Sequence, residues 1–141
     1  MDDDEAILES NKAILENEGY HVSTAETTFE ALKKVNSSFF NLVLLDIRLQ
    51  GLDGTVLLKK IHENYPMMIK IMVTGFPDFN SAVDSLNLGA NAYLVKPIDP
   101  QKLLVVIKDK LVEQEKREEM DQEQAREWIE KRVQQLRNGR T

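Results

Sequence analysis

The sequence predicts an α/β fold in which helices cover both faces of a parallel sheet. Three short apolar runs have the composition of buried strands: LVLLD at 42–46, IKIMVT at 69–74 and AYLVK at 92–96. Segments with apolar residues at helical spacing separate these runs, which is the alternation that parallel sheets require. Because the runs are apolar at nearly every position, we expect the sheet to be doubly wound, with both faces buried.

Five helices are predicted in the segments around these strands. Apolar residues recur every three or four positions within 7–15, 31–35, 56–61, 82–86 and 103–111. Residue types that favour helix N-termini precede the last four of these segments, namely Thr27, Asp53, Asp78 and Asp99. A weaker, more exposed strand is predicted for HVSTAE at 21–26. Helices and strands therefore alternate along the chain as far as the fifth helix.

The composition excludes several classes of protein. The 141 residues favour a single main domain, and 42% of them are hydrophobic, which is enough for a packed core. The net charge of −6, without a basic block, argues against binding to nucleic acid or to an anionic membrane. The absence of cysteine excludes disulfides and thiolate metal sites. No apolar run approaches the length of a membrane span, and the acidic N-terminus is unlike a secretory signal. We expect a cytoplasmic protein.

The chain changes character at Val112, where charged residues begin to dominate. We therefore predict a domain at 1–111 and a charged helical C-terminal extension at 112–141. The favoured interpretation is a solvated continuation of the fifth helix, about 55 Å long at 1.5 Å per residue. The alternative is a coiled coil that forms a homodimer. Its apolar positions would be Ala125, Trp128, Ile129, Val133 and Leu136, which span fewer heptads than coiled coils normally require.

Polar residues stand at the carboxyl ends of the predicted strands, where open α/β sheets bind ligands. Asp46 ends the first apolar run, Thr74 ends the second and Lys96 ends the third. Asp2 and Asp3 add two further carboxylates from the N-terminus. A carboxylate after four apolar residues needs a facing positive charge, which Lys96 or a divalent cation would supply. Carboxylate oxygens are ligands that Mg²⁺ prefers.

These groups together suit phosphoryl transfer to a carboxylate. Asp46 would act as the nucleophile and form an aspartyl phosphate. The metal ion and Lys96 would neutralise the charge that spreads over the phosphoryl oxygens, and Thr74 would donate a hydrogen bond to one of them.

Four motifs in this order resemble the receiver domain of two-component response regulators. They are DDDEAI at the N-terminus, LLDIRLQGLDG around Asp46, MVTGFPD around Thr74 and GANAYLVKP before the fifth helix. The resemblance covers nearly all of residues 2–111. It implies a flavodoxin-like sheet of strand order 2-1-3-4-5, followed here by a long C-terminal helix. It also implies a histidine kinase or phosphotransfer protein as the phosphoryl donor.

The same resemblance assigns roles to individual residues. Mg²⁺ would be bound by Asp2, Asp3, Asp46 and the backbone carbonyl of Arg48, and Lys96 would contact the phosphoryl group. Thr74 and Tyr93 would form the switch pair. A downstream protein target would bind to the face made by the fourth helix, the fifth strand and the fifth helix. The chain would not be an enzyme.

One departure from the family concerns the N-terminus. Receiver domains have an apolar first strand before the acidic pair, whereas only Met1 precedes Asp2 here. We therefore expect a truncated first strand and poorly anchored Asp2 and Asp3. The alternative function is a pseudo-receiver that binds its partners constitutively because the metal site is incomplete. A third hypothesis is a phosphatase with an aspartate nucleophile, although the sequence shows no cap domain that would select a substrate.

Overall fold

A computed structural model describes residues 1–48, 53–75 and 78–139, apart from the side chains of Phe79 and Ser81. Within these residues there are five helices: α1 (Glu5–Asn17), α2 (Thr28–Ser37), α3 (Gly54–Asn64), α4 (Phe79–Asn87) and α5 (Pro100–Asn138). The sheet of the described ranges has three strands: β1 (Leu42–Asp46), β2 (Ile69–Thr74) and β3 (Ala92–Val95). The predicted helices and the three apolar strands are confirmed, and Lys96 lies just beyond β3. Residues 49–52 and 76–77, which belong to two of the quoted motifs, lie outside the described residues.

Side chains cap the helices at the predicted positions. Thr27, Asp53, Asp78 and Asp99 each accept a hydrogen bond from a backbone amide in the first turn of the helix that follows. These bonds satisfy amides that have no partner within the helix, so they fix where each helix begins. The sequence interpretation missed the cap of α1, which is Asp4. Asp4 therefore serves as the N-cap of α1, while its neighbours Asp2 and Asp3 lie ahead of it.

The sheet is parallel and has helices on both faces, as predicted. Its strand order is β1-β2-β3, which corresponds to the 3-4-5 part of the expected order. One buried cluster joins β1 to α2 and α3 through Val43, Val35 and Leu57. A second cluster joins β2 and β3 to α1 and α5 through Leu15 and Ile107. Because the core lies on both sides of the strands, their carboxyl ends are held rigidly at one edge of the sheet.

The strand predicted at 21–26 is wrong, because this segment forms no strand ladder. One backbone hydrogen bond, from the Asp2 amide to the Ala25 carbonyl at 3.1 Å, joins this segment to the N-terminus. Met1 lies on the other side and pairs with β1. Its amino group donates to the Leu44 carbonyl at 2.8 Å, and its carbonyl accepts from the Asp46 amide at 3.1 Å. A segment with alternating apolar residues forms a strand where a neighbouring backbone pairs with it along its whole length. Here the neighbouring backbone is that of Met1 and Asp2, which is too short for a ladder.

Helix α5 is one continuous helix of 39 residues, so the predicted continuation past Val112 is confirmed. Gln114, beyond the predicted boundary, still contacts the sheet end. Its side-chain amide donates to the carbonyls of Asn41 at 3.0 Å and Met67 at 2.9 Å. Farther along, Trp128, Ile129, Val133 and Leu136 are exposed. Among the helices that the structure describes, α5 included, none is both long and apolar enough to span a bilayer.

Candidate functional site

The residues predicted from the strand ends do meet at one edge of the sheet. Asp46 is the last residue of β1, Thr74 is the last residue of β2, and Lys96 follows β3 directly. All three strands are parallel, so their carboxyl ends open on the same side. Asp2 reaches the site from the N-terminus, next to the end of β1. Asp2, Asp46 and Thr74 are buried, with exposed fractions of 6%, 6% and 2%.

Lys96 forms a bridge between the two buried carboxylates. Its Nζ atom lies 2.7 Å from Asp2 Oδ2 and 2.7 Å from Asp46 Oδ2. Burial by itself would lower the pKa of Lys96, but the hydrogen bonds and charges of Asp2 and Asp46 outweigh it and raise the pKa above its usual value. Lys96 is therefore fully charged at neutral pH. Two carboxylates share one ammonium, which leaves the site with a negative charge that a cation can neutralise.

Backbone amides fix the second oxygen of each carboxylate. The Arg48 amide donates to Asp46 Oδ1 at 3.0 Å, and the Asp4 amide donates to Asp2 Oδ1 at 3.0 Å. Asp2 is also held through its own backbone by Ala25. The expectation that Asp2 would be poorly anchored is therefore wrong, because backbone hydrogen bonds hold residues 1–2 on both sides. Asp3 is exposed, as expected of a residue with few contacts.

The carboxylates are close enough to bind one metal ion. One oxygen from each of Asp2, Asp3 and Asp46 lies within 4.8 Å of the others. The donors are all oxygen atoms, which suits a hard divalent cation such as Mg²⁺. Asp3 is exposed, so water molecules would reach such an ion, and Mg²⁺ normally keeps several of its waters. These residues therefore fit Mg²⁺. The predicted contribution of the Arg48 carbonyl stays a prediction.

Two glycines shape the walls of the site. A Cβ atom at Gly54 would overlap the carbonyl of Asp46 and lie 2.7 Å from the carbonyl oxygen of Ile47. The Gly54 amide donates to that Ile47 carbonyl at 2.8 Å, so α3 begins directly against the loop after Asp46. A Cβ atom at Gly75 would lie 3.9 Å from the Lys96 side chain, which is an ordinary contact. Only Gly54 is therefore required by the packing of the backbone.

Thr74 and Tyr93 lie on neighbouring strands beside the site. The Thr74 carbonyl accepts a hydrogen bond from the Lys96 amide at 2.7 Å, which ties the end of β2 to the residue after β3. Tyr93 is half-buried and packs against the cluster that contains Leu57 and Met72. Its hydroxyl is buried and has no hydrogen-bond partner within the described ranges 1–48, 53–75 and 78–139. The ring therefore occupies an inward position in which its hydroxyl is not satisfied.

Comparison with known proteins agrees with this geometry. The family model for the response regulator receiver domain matches residues 1–108. The chain belongs to this family. Among curated proteins, this receiver domain is 36% identical over 111 residues to the transcriptional regulatory protein ZraR of Klebsiella oxytoca, covering 79% of this chain and 25% of that protein. It is 36% identical over 110 residues to the putative response regulator NtrX-like of Rickettsia bellii, covering 77% of this chain and 23% of that protein.

Solved structures confirm the flavodoxin-like α/β fold of this receiver domain. The CheY-like receiver domain protein of Methanospirillum hungatei JF-1 is 54% identical, with a TM-score of 0.81 over 82% of this chain and 93% of that one. The beryllofluoride-activated receiver domain dimer of NtrC4 is 39% identical, with a TM-score of 0.77 over 80% of this chain and 93% of that one. This receiver domain thus spans nearly all of these solved domains and about a quarter of the curated relatives.

Sequence reasoning placed Asp2, Asp46, Thr74 and Lys96 together, as the structure does, but missed the contribution of Met1. Its carbonyl accepts the Asp46 amide and its amino group contacts Leu44, so Met1 positions the carboxylate at the end of β1. The feature of the sequence that could have pointed to Met1 is its position directly before Asp2 and Asp3. Asp4 was missed for a similar reason, since three consecutive aspartates gave no means of telling the helix cap from the site residues.

Proposed function

We propose that this receiver domain accepts a phosphoryl group on Asp46 from a histidine kinase or a phosphotransfer protein. The observation that supports this most directly is the pair of 2.7 Å contacts of Lys96 with Asp46 and Asp2. An ammonium fixed beside the acceptor carboxylate lies where negative charge accumulates during transfer. A purely structural ion pair would not require a second carboxylate, nor a third within 4.8 Å of both.

In the proposed transfer an Asp46 carboxylate oxygen bonds to phosphorus while the bond from phosphorus to the donor imidazole nitrogen breaks. The Arg48 amide holds Oδ1, so Oδ2 is the oxygen that points towards Lys96. Lys96 would then exchange its contact with the carboxylate for one with a phosphoryl oxygen, and the Thr74 hydroxyl would donate to another. Asp2, Asp3 and Asp46 would hold Mg²⁺, which would supply positive charge to the phosphoryl oxygens. The donor nitrogen takes up a proton from water, so the donor leaves as a neutral imidazole.

The test is phosphorylation of the full chain by acetyl phosphate with Mg²⁺, followed by intact-mass measurement. We expect the parent chain to gain the mass of one phosphoryl group and the Asp46→Asn variant to gain none. Asp84→Asn, which removes an exposed carboxylate from α4, is the matched control and should react like the parent. An unmodified parent chain would favour the pseudo-receiver instead, in which partners bind without phosphorylation. Modification of Asp46→Asn would show that the acceptor is elsewhere.

The surface that responds to phosphorylation is proposed to be the face of α4, β3 and α5. Exposed apolar residues lie on α4, on β3 and near the start of α5, among them Val83, Leu86, Val95 and Val105. Thr74 and Lys96 connect the site to this face, because Thr74 leads towards α4 and Lys96 directly follows β3. Exposed apolar residues with polar neighbours are typical of protein-binding surfaces. The downstream partner is therefore a protein, with a homodimer as a further possibility.

Backbone resonances report whether this face responds. We expect beryllofluoride with Mg²⁺ to shift amide resonances between Thr74 and Leu111, because a phosphoryl mimic changes the charge beside Thr74 and Lys96. Resonances of residues 115–135 on the exposed part of α5 serve as an internal reference and should stay in place. Shifts confined to the neighbourhood of Asp46 would rule out this face as the responding surface.

Receiver domains are in general signalling modules, and we infer that this chain acts by binding partners and not as an enzyme. Its partners would be proteins only, with neither nucleic acid nor membrane, consistent with the net charge of −6. A cytoplasmic location is part of the same proposal. The curated relatives are about four times as long as the matched region, so any output activity of theirs is not carried over to these residues.

A further inference from the structure

The part of α5 beyond the sheet carries an apolar stripe that no element of the described chain covers. Residues 115–139 are all exposed, whereas Leu103 and Ile107 near the start of the same helix are buried. The stripe consists of residues spaced four, four and three positions apart, which places them on one face of the helix: Ala125, Ile129, Val133 and Leu136. Trp128, beside the stripe, is 67% exposed. Contiguous apolar surface of this kind, with charged neighbours, is typical of a protein-binding site.

The charges along one flank of this stripe form a mirror pattern of opposite sign. Four charged residues occupy that flank, at intervals of seven, four and seven positions: Glu119, Arg126, Glu130 and Arg137. Glu119 and Arg137 are each nine positions from Trp128. Arg126 and Glu130 are each two positions from the same residue. Every charge on one side of this centre therefore has an opposite charge at the same distance on the other side.

These flanking charges are not paired along their own helix. Within the described ranges, no ion pair joins side chains of residues 115–137. If two antiparallel copies of α5 met with a two-fold axis at the centre of the pattern, Glu119 of each copy would lie beside Arg137 of the other. Arg126 would likewise lie beside Glu130, so the symmetry gives four attractive pairs. Parallel copies in register would instead bring each charge next to its own counterpart, which is unfavourable.

The other residues at this contact are compatible with the antiparallel orientation. The two apolar stripes overlap around the axis, so Ile129 of each copy lies between Ala125 and Ile129 of the other. On the opposite flank, the charged residues Asp121 and Arg132 fall level with glutamines of the second copy, so no like charges meet there. The overlap of residues 119–137 is about 28 Å long at 1.5 Å per residue. Apolar and charged groups thus favour the same arrangement.

We propose that two copies of this chain dimerise through an antiparallel pairing of α5 centred on Trp128. The contact uses neither Asp46 nor the face of α4, β3 and the start of α5, so it goes beyond the phosphoryl-acceptor function and forms without phosphorylation. Val112 is about 24 Å from the axis along the helix, so the two receiver domains lie at opposite ends of the dimer. Both domains keep their phosphorylation sites accessible. A target with two binding sites would therefore gain avidity from the pair.

The test is sedimentation equilibrium of the unphosphorylated full chain between about 1 and 500 μM, which gives the dissociation constant of the dimer. We expect Glu119→Arg and Arg137→Glu each to weaken the dimer about tenfold, because each change turns two attractions into two repulsions. The double variant Glu119→Arg with Arg137→Glu should recover the parent constant, because it only exchanges the charges within each pair. In parallel copies these two positions are about 27 Å apart, so that orientation predicts no recovery.

Two further variants separate the stripe from other surfaces. Glu127→Arg changes an exposed charge on the face opposite the stripe and should dimerise like the parent. Ile129→Gln removes the central apolar contact, keeps a good helix former and should leave the chain monomeric. A parent chain that is monomeric throughout this range would overturn the proposal and assign the stripe to a different protein. A dimer that persists in Ile129→Gln, or that shows no recovery in the double variant, would overturn it as well. Because no phosphate is present, a chain that fails to accept a phosphoryl group can still support this dimer.

Discussion

The Lys96→Met variant is expected to lose about 3 kcal/mol of unfolding free energy and all phosphoryl uptake. The side chains of Asp2 and Asp46 are each only 8% exposed, and both contact Lys96 Nζ at 2.7 Å. Removing the ammonium leaves two neighbouring buried carboxylates without a counter-charge, which is among the most destabilising changes a fold undergoes. The Lys96 side chain itself is 21% exposed, so water relieves part of the cost and the lower end of the usual range applies.

Urea unfolding of three variants distinguishes charge from packing. Methionine keeps the apolar stem of the lysine, so lost packing contributes little. Lys102→Met, at an exposed position of α5, is the matched control and should unfold like the parent. The double variant Asp2→Asn with Lys96→Met should recover a large part of the lost stability, because one of the two repelling charges is removed. If Lys96→Met unfolds like the parent, the proposed dependence of the carboxylates on this ammonium is wrong.

The strands and helix caps were predictable because they depend on local chemistry. An apolar run such as 69–74 has one stable environment, the middle of a covered sheet, and all six of its residues are buried. Aspartates such as Asp53 and Asp99 accept amides of the next turn wherever a helix begins. The parallel direction of the strands then places Asp46, Thr74 and Lys96 at one edge, so the membership of the site also followed from the sequence.

The N-terminal part of the site could not be predicted, because it depends on pairing between distant segments. Asp2 is ordered by Ala25, and its neighbour Met1 is ordered by Leu44 and Asp46. None of these partners is marked by residue type, since the contacts are made through the backbone. The same reason explains the error at 21–26, where a strand-like pattern lacks a continuous neighbour. Local patterns define which residues are suited to a strand, and the partner decides whether the strand forms.

Replacing Gly54 by alanine is expected to destabilise the fold by about 3 kcal/mol and to reduce phosphorylation of Asp46 strongly. The new Cβ atom would overlap the Asp46 carbonyl and lie 2.6 Å from Ile47 Cα. These are backbone atoms, so no side-chain rotation relieves the contact. The loop after Asp46 or the first turn of α3 must move instead. Such a movement breaks the bond from the Gly54 amide to the Ile47 carbonyl and turns the Asp46 carboxylate away from Lys96.

The matched control for Gly54→Ala is Gly75→Ala, since both glycines lie beside the site. At Gly75 the nearest atoms to an added Cβ are 3.9 Å away in the flexible side chain of Lys96, so this variant should unfold at nearly the same urea concentration as the parent. Denaturation and the rate of phosphorylation by acetyl phosphate measure the two effects separately. A stable Gly54→Ala variant that is phosphorylated at the parent rate would contradict the prediction. It would mean that the close approach of α3 to the Asp46 loop is not what orients the acceptor carboxylate.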